Sequence, residues 1–278
     1  MSALVEAAHE ATVGQHGFTV VSNEQAAEGM FHLVMRSDVA ALLEPGQFMN
    51  FQVPGNAAQV LRVPLSFARA DAAAGLVDVC YAVVGDGTRR LSQMLPGDES
   101  TVVGPCGHGW RLPADEGRCL LVAGGIGLPP VFAAAEMLAQ AGIGFDVVVG
   151  ARTAGLLLDG LVDQLRGMTP GQGCDCERRV MITTDDGSRG LKCFTTDAMW
   201  ALLKDRTYAC VYTCGPNVMM RGVARLAAEH GIACQASLER MMGCGFGACS
   251  CCNVALVGGG YALCCTDGPV FDASEVAW

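Results

Sequence analysis

Hydrophobic positions change their period along the chain. From about Gly17 to Gly109 they fall in short runs, several alternating with polar residues: Phe18-Thr19-Val20-Val21, Met30-Phe31-His32-Leu33-Val34-Met35, Phe48-Met49-Asn50-Phe51-Gln52-Val53 and Leu76 to Val83. Alternation with period two marks strands buried on one face, and turn residues separate the runs. Short strands in succession predict a small closed antiparallel β-barrel. From Arg118 the runs become continuously apolar, as in Cys119-Leu120-Leu121-Val122-Ala123, Phe145 to Gly150, Val180 to Thr184 and Ala209 to Cys214. Helical stretches, Val131 to Ala141 and Val218 to His230, lie between or after them. Doubly buried strands alternating with helices predict a Rossmann-like parallel α/β unit. The expected organisation is a multidomain β plus α/β protein: a barrel over 1–113, an α/β domain over 114–233 and a small C-terminal domain over 234–278.

The longest apolar region, from Cys119 to Gly150, is interrupted by Gly124, Gly125, Pro129, Pro130, Glu136 and Asp146, so it reads as strand, helix, strand and not as a membrane span. Eighteen Lys and Arg against 28 Asp and Glu give a formal charge of -10. Such a surface repels nucleic acid and anionic membranes. The first ten residues lack a basic end leading into an apolar run, and the chain is expected to stay in the cytoplasm. The chain carries 15 cysteines. Most lie inside apolar runs, such as Val79-Cys80-Tyr81, and read as reduced thiols, not as a disulfide framework.

One cysteine stretch carries specific chemistry. Met241-Met242-Gly243-Cys244-Gly245-Phe246-Gly247-Ala248-Cys249-Ser250-Cys251-Cys252 is answered by Cys264-Cys265-Thr266-Asp267-Gly268-Pro269. Read as C-x4-C-x2-C…C, it matches plant-type [2Fe-2S] ligation. Gly245, Gly247 and Ala248 suit a loop whose N–H groups fold back over a cluster sulfide. Structural zinc usually takes two C-x2-C knuckles. Spacing selects Cys244, Cys249 and Cys252. The fourth ligand is Cys265 or Cys264, and Cys265 is chosen as the nearer to the Asp267-Gly268-Pro269 turn.

Elsewhere the signals are weaker singly. Leu61-Arg62-Val63-Pro64-Leu65-Ser66-Phe67 places a guanidinium, a rigid kink and a hydroxyl together, and Val84-Gly85-Asp86-Gly87-Thr88 opens a helix whose N–H groups suit a diphosphate. Both also occur as ordinary loop and cap chemistry. Gly124-Gly125-Ile126-Gly127 follows a parallel strand without matching G-x-G-x-x-G, yet it bares backbone where open α/β sheets bind ligands. Asp185 and Asp186 read as turn residues. Cys214-Gly215-Pro216 ends another strand, where a thiol could lie against a nicotinamide or be buried. Cys174 and Cys176 form a C-x-C pair too small for a zinc shell, and mid-strand His32 has no partner at ligand spacing.

Taken in order, Arg62-Val63-Pro64-Leu65-Ser66, Gly87-Thr88, Gly124-Gly125-Ile126-Gly127, Thr184-Asp185-Asp186-Gly187-Ser188, Cys214-Gly215-Pro216 and the cysteine stretch resemble one family from about Gly17 to Trp278. It is the electron-transfer subunit of class 1B dihydroorotate dehydrogenase, within the ferredoxin-NADP reductase superfamily. The resemblance implies an FAD-binding barrel using Arg62, Val63, Pro64, Leu65, Ser66, Cys80, Tyr81, Ala82, Gly87 and Thr88. It implies NAD binding by Gly124, Gly125, Gly127, Cys214, Gly215 and Pro216, and a C-terminal [2Fe-2S] domain. Val63 departs from the second arginine many members carry before Pro-x-Ser, which leaves Arg62 as the one charge there. A catalytic partner carrying FMN is implied, in a heterotetramer of two of each, passing electrons from dihydroorotate through FMN, cluster and FAD to NAD+ in pyrimidine (UMP) biosynthesis. No acid or base is needed in this chain. Met241, Met242, Phe246, Val270 and Phe271 are the residues expected on an apolar face towards that partner.

Two alternatives stand beside this. The small subunit of the NADH-dependent ferredoxin:NADP reductase has a similar layout, but an aspartate typically takes its first cluster position, where this chain has Cys244. A flavoprotein using its cluster as a redox sensor would have no partner.

Overall fold

The computed structural model describes residues 13–53, 61–168 and 180–278. Its N-terminal part contains β1 (Gly14–Ala27), β2 (Met30–Arg36), β3 (Phe48–Phe51), β4 (Val63–Ser66), β5 (Arg69–Asp71), β6 (Leu76–Ala82), the short helix α1 (Asp86–Leu91) and β7 (Glu99–Cys106). These strands form one seven-stranded antiparallel sheet in the order β4-β3-β7-β1-β2-β6-β5. The sheet curls into a half-barrel with β4 and β5 at its edges, around a core of Phe18, Leu33, Met35, Met49, Phe51, Val77, Val79 and Tyr81. Alternation explains the inward set: Leu33 and Met35, then Val77, Val79 and Tyr81, are two residues apart and point to one face. His32 points the other way, with Nε2 2.8 Å from Asp78 Oδ1 across the β2–β6 pair.

The α/β part contains β8 (Cys119–Gly124), α2 (Leu128–Gln140), β9 (Phe145–Ala151), α3 (Asp159–Gly167), β10 (Val180–Thr184), α4 (Thr195–Asp205), β11 (Cys210–Cys214), α5 (Asn217–Glu229) and β12 (Ala233–Ser237). Its sheet runs β10-β9-β8-β11-β12 with parallel neighbours. Helices cover both faces, which is why the strands read as continuous apolar runs. Cys119, Leu121 and Ala123 pack with α2 and α3, while Leu120 and Val122 pack with α4 and α5. The strand order reverses direction between β8 and β11, and such a switch point is where open α/β sheets bind ligands. The apolar stretch from Cys119 to Gly150 is thus strand, helix and strand, and no helix among the described residues is long and apolar enough to cross a membrane.

The C-terminal segment adds the hairpin β13 (Asn253–Ala255) and β14 (Tyr261–Leu263), then β15 (Val270–Asp272). β15 pairs antiparallel with β12 and so extends the α/β sheet. Cys252, Val254, Cys264, Cys265 and Phe271 pack into the same apolar cluster as α4 and α5. The cysteine segment is therefore an excursion between two adjacent strands of the sheet. Its other side meets the barrel, where the His108 N–H donates to Gly268 O (2.5 Å).

Candidate functional site: a cleft beside a cysteine loop

A cleft of about 320 Å³ opens between the barrel and the α/β sheet. The barrel supplies Phe48, then Val63, Pro64, Leu65 and Ser66 on β4, Cys80, Tyr81 and Ala82 on β6, and Val84 and Thr88 around α1. The sheet supplies Ile126, Pro129 and Pro130, and the segment leading to the cysteine loop supplies Leu238, Glu239, Arg240 and Met242, with Pro269. β4 is an edge strand, so its proline removes no ladder bond that a further strand would need. The Thr88 hydroxyl accepts N–H bonds from Val84 (3.0 Å) and Gly85 (3.2 Å), tying the chain into the turn that opens α1. Tyr81 adds shape and no spare donor: its ring stacks on Phe31 and its hydroxyl donates to Asn23 Oδ1 (2.9 Å). Burial pushes the neighbouring Cys80 thiol up to about 12, so it stays neutral.

Arg62 and Gly87, placed with this group by the sequence, are not among the lining residues. The Arg62 guanidinium donates to Thr101 O (3.0 Å), Thr101 Oγ1 (3.1 Å) and Gln15 Oε1 (3.1 Å), across the half-barrel strands. Its hydrogen-bonding capacity is engaged in joining β4 to β7 and β1. Cleft residues that sequence reasoning did not place there are Phe48, Val84, Ile126, Pro129, Pro130, Leu238, Glu239, Arg240 and Pro269, together with Met242, which was expected on the apolar face towards the partner. Only Ile126 and Pro129 carried a signal, by following the glycine turn.

At the switch point the glycine turn after β8 and the Cys214-Gly215-Pro216 turn after β11 interlock. A Cβ at Gly127 would collide with the Cys214 carbonyl, and one at Gly124 would meet Met219 Sδ at 2.5 Å and Pro216 Cδ at 3.0 Å. Gly125 lies in the left-handed region (φ +54°) with open space on its Cβ side. Cys214 is fully buried, and burial drives its thiol far above the ordinary range. Asp186 accepts bonds from the Ser188 N–H and hydroxyl (2.9 and 2.6 Å), the turn chemistry its sequence suggested.

The cysteine loop brings thiols together in two pairs. The Cys244 N–H points at Cys249 Sγ (3.4 Å), and the Phe246 N–H at Cys244 Sγ (3.5 Å). The Cys265 N–H points at Cys252 Sγ (3.4 Å). Burial alone would push the Cys244 thiol up, but N–H donors of Phe246, Cys249 and Ala248 bring it down to about 7. Burial and then the neighbouring Cys252 thiol push Cys265 up to about 12. Gly243 is close enough to Cys249 that a Cβ there would lie 3.1 Å from its Sγ, and Ser250 adopts φ +51° between the two halves of the motif. Among the described residues no three His, Cys, Asp or Glu side chains converge as they would on one metal ion. Two thiol pairs with N–H groups aimed at sulfur fit a cluster that spreads four thiolates over two irons.

Cys264 and Cys251 have other partners or none of these N–H contacts. Cys264 Sγ donates to Leu238 O, and Cys251 is exposed. Cys174 and Cys176 lie outside the described residues. Of the apolar face expected around the loop, Met241 (82 % exposed) and Phe246 (55 %) are on the surface. Val270 and Phe271 are buried because they form β15 against β12, so they belong to the core and not to that face.

A sequence model of the iron–sulfur cluster binding domain of dihydroorotate dehydrogenase B matches residues 239–277. The chain is 36 % identical over 269 residues to the dihydroorotate dehydrogenase B (NAD(+)) electron transfer subunit of Geobacillus thermodenitrificans, covering 95 % of this chain and 99 % of that one. The chain belongs to this family of electron transfer subunits. A probable member from Methanocaldococcus jannaschii is 37 % identical over 229 residues, 82 % of this chain and 79 % of the relative. Among solved structures, that of an NADH-dependent reduced ferredoxin-NADP oxidoreductase, studied for flavin-based electron bifurcation, superposes with a TM-score of 0.81. It is 30 % identical, over 94 % of this chain and 89 % of that one. The curled sheet followed by the α/β sheet is thus the ferredoxin-NADP reductase fold, and the family's matched cluster domain begins at Glu239, inside the cleft wall.

Proposed function

We propose that this chain is the electron transfer component of an NAD-linked dihydroorotate dehydrogenase, receiving electrons from an FMN-bearing catalytic partner in a cytoplasmic heterotetramer of two of each. The observation that carries this reading is the continuity of the segment from Leu238 to Cys244. Leu238, Glu239, Arg240 and Met242 line the flavin cleft, and Cys244 opens the cysteine loop two residues later. Two carriers held by one short segment are held close together.

Bound there, a [2Fe-2S] cluster supplies one-electron transfer and FAD joins single electrons to the hydride chemistry of NAD+. Cys244, Cys249, Cys252 and Cys265 hold the cluster, supported by spacing, by their pairing and by the direction of the Cys264 thiol. Val63 to Ser66, Cys80 to Ala82 and Thr88 seat the flavin, and Gly87 shapes the turn beside it. Gly124, Gly125, Gly127, Cys214, Gly215 and Pro216 bare backbone for the nicotinamide at the switch point. Residues 1–113, 114–233 and 234–278 then centre on the flavin, the nicotinamide and the cluster in turn, with the second and third units also walling the flavin cleft and the third sharing a sheet with the second. Orientation and exclusion of water are the work of these residues, and none acts as an acid or base.

The test uses the anaerobically purified chain with and without an FMN-containing dihydroorotate dehydrogenase catalytic subunit. Alone it should oxidise NADH with an artificial acceptor and leave dihydroorotate untouched; the mixture should reduce NAD+ with dihydroorotate. Dihydroorotate turnover by the chain alone would overturn the proposal. No complex with the catalytic subunit, together with NADH-dependent ferredoxin chemistry, would favour the reading its 30 % identical structural neighbour suggests.

A further inference from the structure

Asn50 is a polar residue in an apolar place. It lies in β3, is 2 % exposed and is flanked by core residues Met49 and Phe51. Its position in the ladder puts it opposite Pro64, in the strand that lines the flavin cleft. Its side chain points towards the cysteine loop. Gly245 sits so close that a Cβ there would collide with Asn50 Nδ2, and Gly245 itself is in the left-handed region (φ +81°).

The carboxamide is oriented by a second contact. Nδ2 donates to Cys106 Sγ (3.4 Å), and the Cys106 thiol in turn donates to Val103 O (3.5 Å). Because that thiol proton is directed at a carbonyl, the sulfur is left to accept, which sets the amide nitrogen on this side. Asn50 O also accepts from the Arg62 guanidinium (3.4 Å), fixing the backbone beneath the side chain. A buried amide is costly to desolvate unless its hydrogen bonds are made, so its placement between two cofactor sites needs a reason.

We infer that Asn50 is a positioning residue for the proposed cluster: its carboxamide, seated against Gly245 next to Cys244 and holding Cys106 with one N–H, docks the Cys244–Cys249 loop on the half-barrel and turns its second N–H towards the cluster, which raises the cluster's reduction potential. The inference rests on the cluster reading above. A donor near cluster sulfur stabilises the reduced state, which carries the extra negative charge, and hydrogen bonding to the sulfurs is one of the protein's levers on potential. Asn50 thereby links the strand under the flavin to the loop under the cluster. Its replacement should disturb the cluster while sparing the flavin.

The experiment compares the full anaerobic protein with Asn50→Leu, which keeps bulk without a donor, and Asn50→Asp, which keeps shape but puts an oxygen in place of the amide nitrogen. Cluster and flavin midpoint potentials are read by EPR-monitored and optical redox titration, beside iron and flavin content. Both variants should retain iron and flavin, show altered cluster g-values and titrate at more negative cluster potential, with the flavin midpoint unmoved. Parent-like cluster potentials in both variants would overturn the inference, as would equal displacement of cluster and flavin. Iron loss from both variants would also overturn it, reducing Asn50 to a packing residue. Absence of a cluster signal from the parent would instead defeat the cluster reading, which separates the two failures.

Discussion

Cys264 Sγ donates a hydrogen bond to the carbonyl of Leu238 at 3.2 Å. The next residue, Cys265, directs its N–H at the Cys252 sulfur. Adjacent cysteines thus have different partners, the Leu238 carbonyl for one and the Cys252 sulfur for the other. Single Cys→Ser variants should separate them. Cys244→Ser, Cys249→Ser, Cys252→Ser and Cys265→Ser should lose iron and visible cluster absorbance, whereas Cys264→Ser should keep both, since a hydroxyl can still donate to Leu238. Iron retained by Cys265→Ser and lost by Cys264→Ser would reverse the assignment.

Thiol labelling gives an independent reading of the same loop. Cys249 and Cys251 are both exposed, so exposure alone does not distinguish them. Ligation would: in the cluster-loaded protein, iodoacetamide at pH 8 should modify Cys251 and spare Cys249. Cys80 and Cys119 should stay unmodified with or without cluster. Burial pushes both thiols up to about 12, so about one in ten thousand is ionised at pH 8, and the thiolate is the nucleophile. Equal labelling of Cys249 and Cys251 in iron-replete protein would remove Cys249 from the ligand set.

The proposed flavin cleft depends on one hydroxyl for the shape of its α1 side. Thr88→Val removes the acceptor for the Val84 and Gly85 N–H groups, a loss of roughly 1–2 kcal/mol for a capping interaction of this kind. Combined with Ser66→Ala, it should weaken flavin binding by about tenfold or more, since each ~1.4 kcal/mol is a factor of ten. Iron content should not change. Flavin retained through gel filtration at the parental stoichiometry would show that these residues do not hold it.

How much of this was legible beforehand depended on whether a residue's signal was local. β8 was readable because both its faces are buried, which makes Cys119 to Ala123 a continuous apolar run. β7 was not singled out: Glu99, Ser100 and Thr101 begin it, and its apolar half runs into Gly104 and Pro105. α4 was missed because its buried face is Thr195, Ala198, Met199 and Leu202, a polar residue among three apolar ones, with Trp200 half exposed beside them. Arg62 was legible as a charge beside Pro-x-Ser, but its partner Thr101 is distant in sequence, so the direction of its guanidinium was not. Val270 and Phe271 looked like surface residues beside a cofactor until β15 placed them against β12, a pairing no local pattern announces.

The proposed nicotinamide seat offers a graded test, because neighbouring glycines would meet different obstacles. A Cβ at Gly127 would run into the Cys214 carbonyl and the Gly215 backbone, which belong to the end of β11 and cannot swing aside. A Cβ at Gly124 would chiefly meet the Met219 side chain, whose flexible thioether can rotate away. Gly125 faces open space, though its φ of +54° disfavours any side chain. Forcing one carbon into packed backbone costs about 1–3 kcal/mol, which here would be met by displacement of the Cys214-Gly215-Pro216 turn. Gly127→Ala should therefore raise the KM for NADH on the order of tenfold or more in the artificial-acceptor assay, with Gly124→Ala less affected. Flavin and iron content should match the parent in both, because the displaced turn lies outside the cleft lining and the cysteine loop. An unchanged KM in a folded Gly127→Ala protein would mean that the interlocked turns do not form the nicotinamide seat.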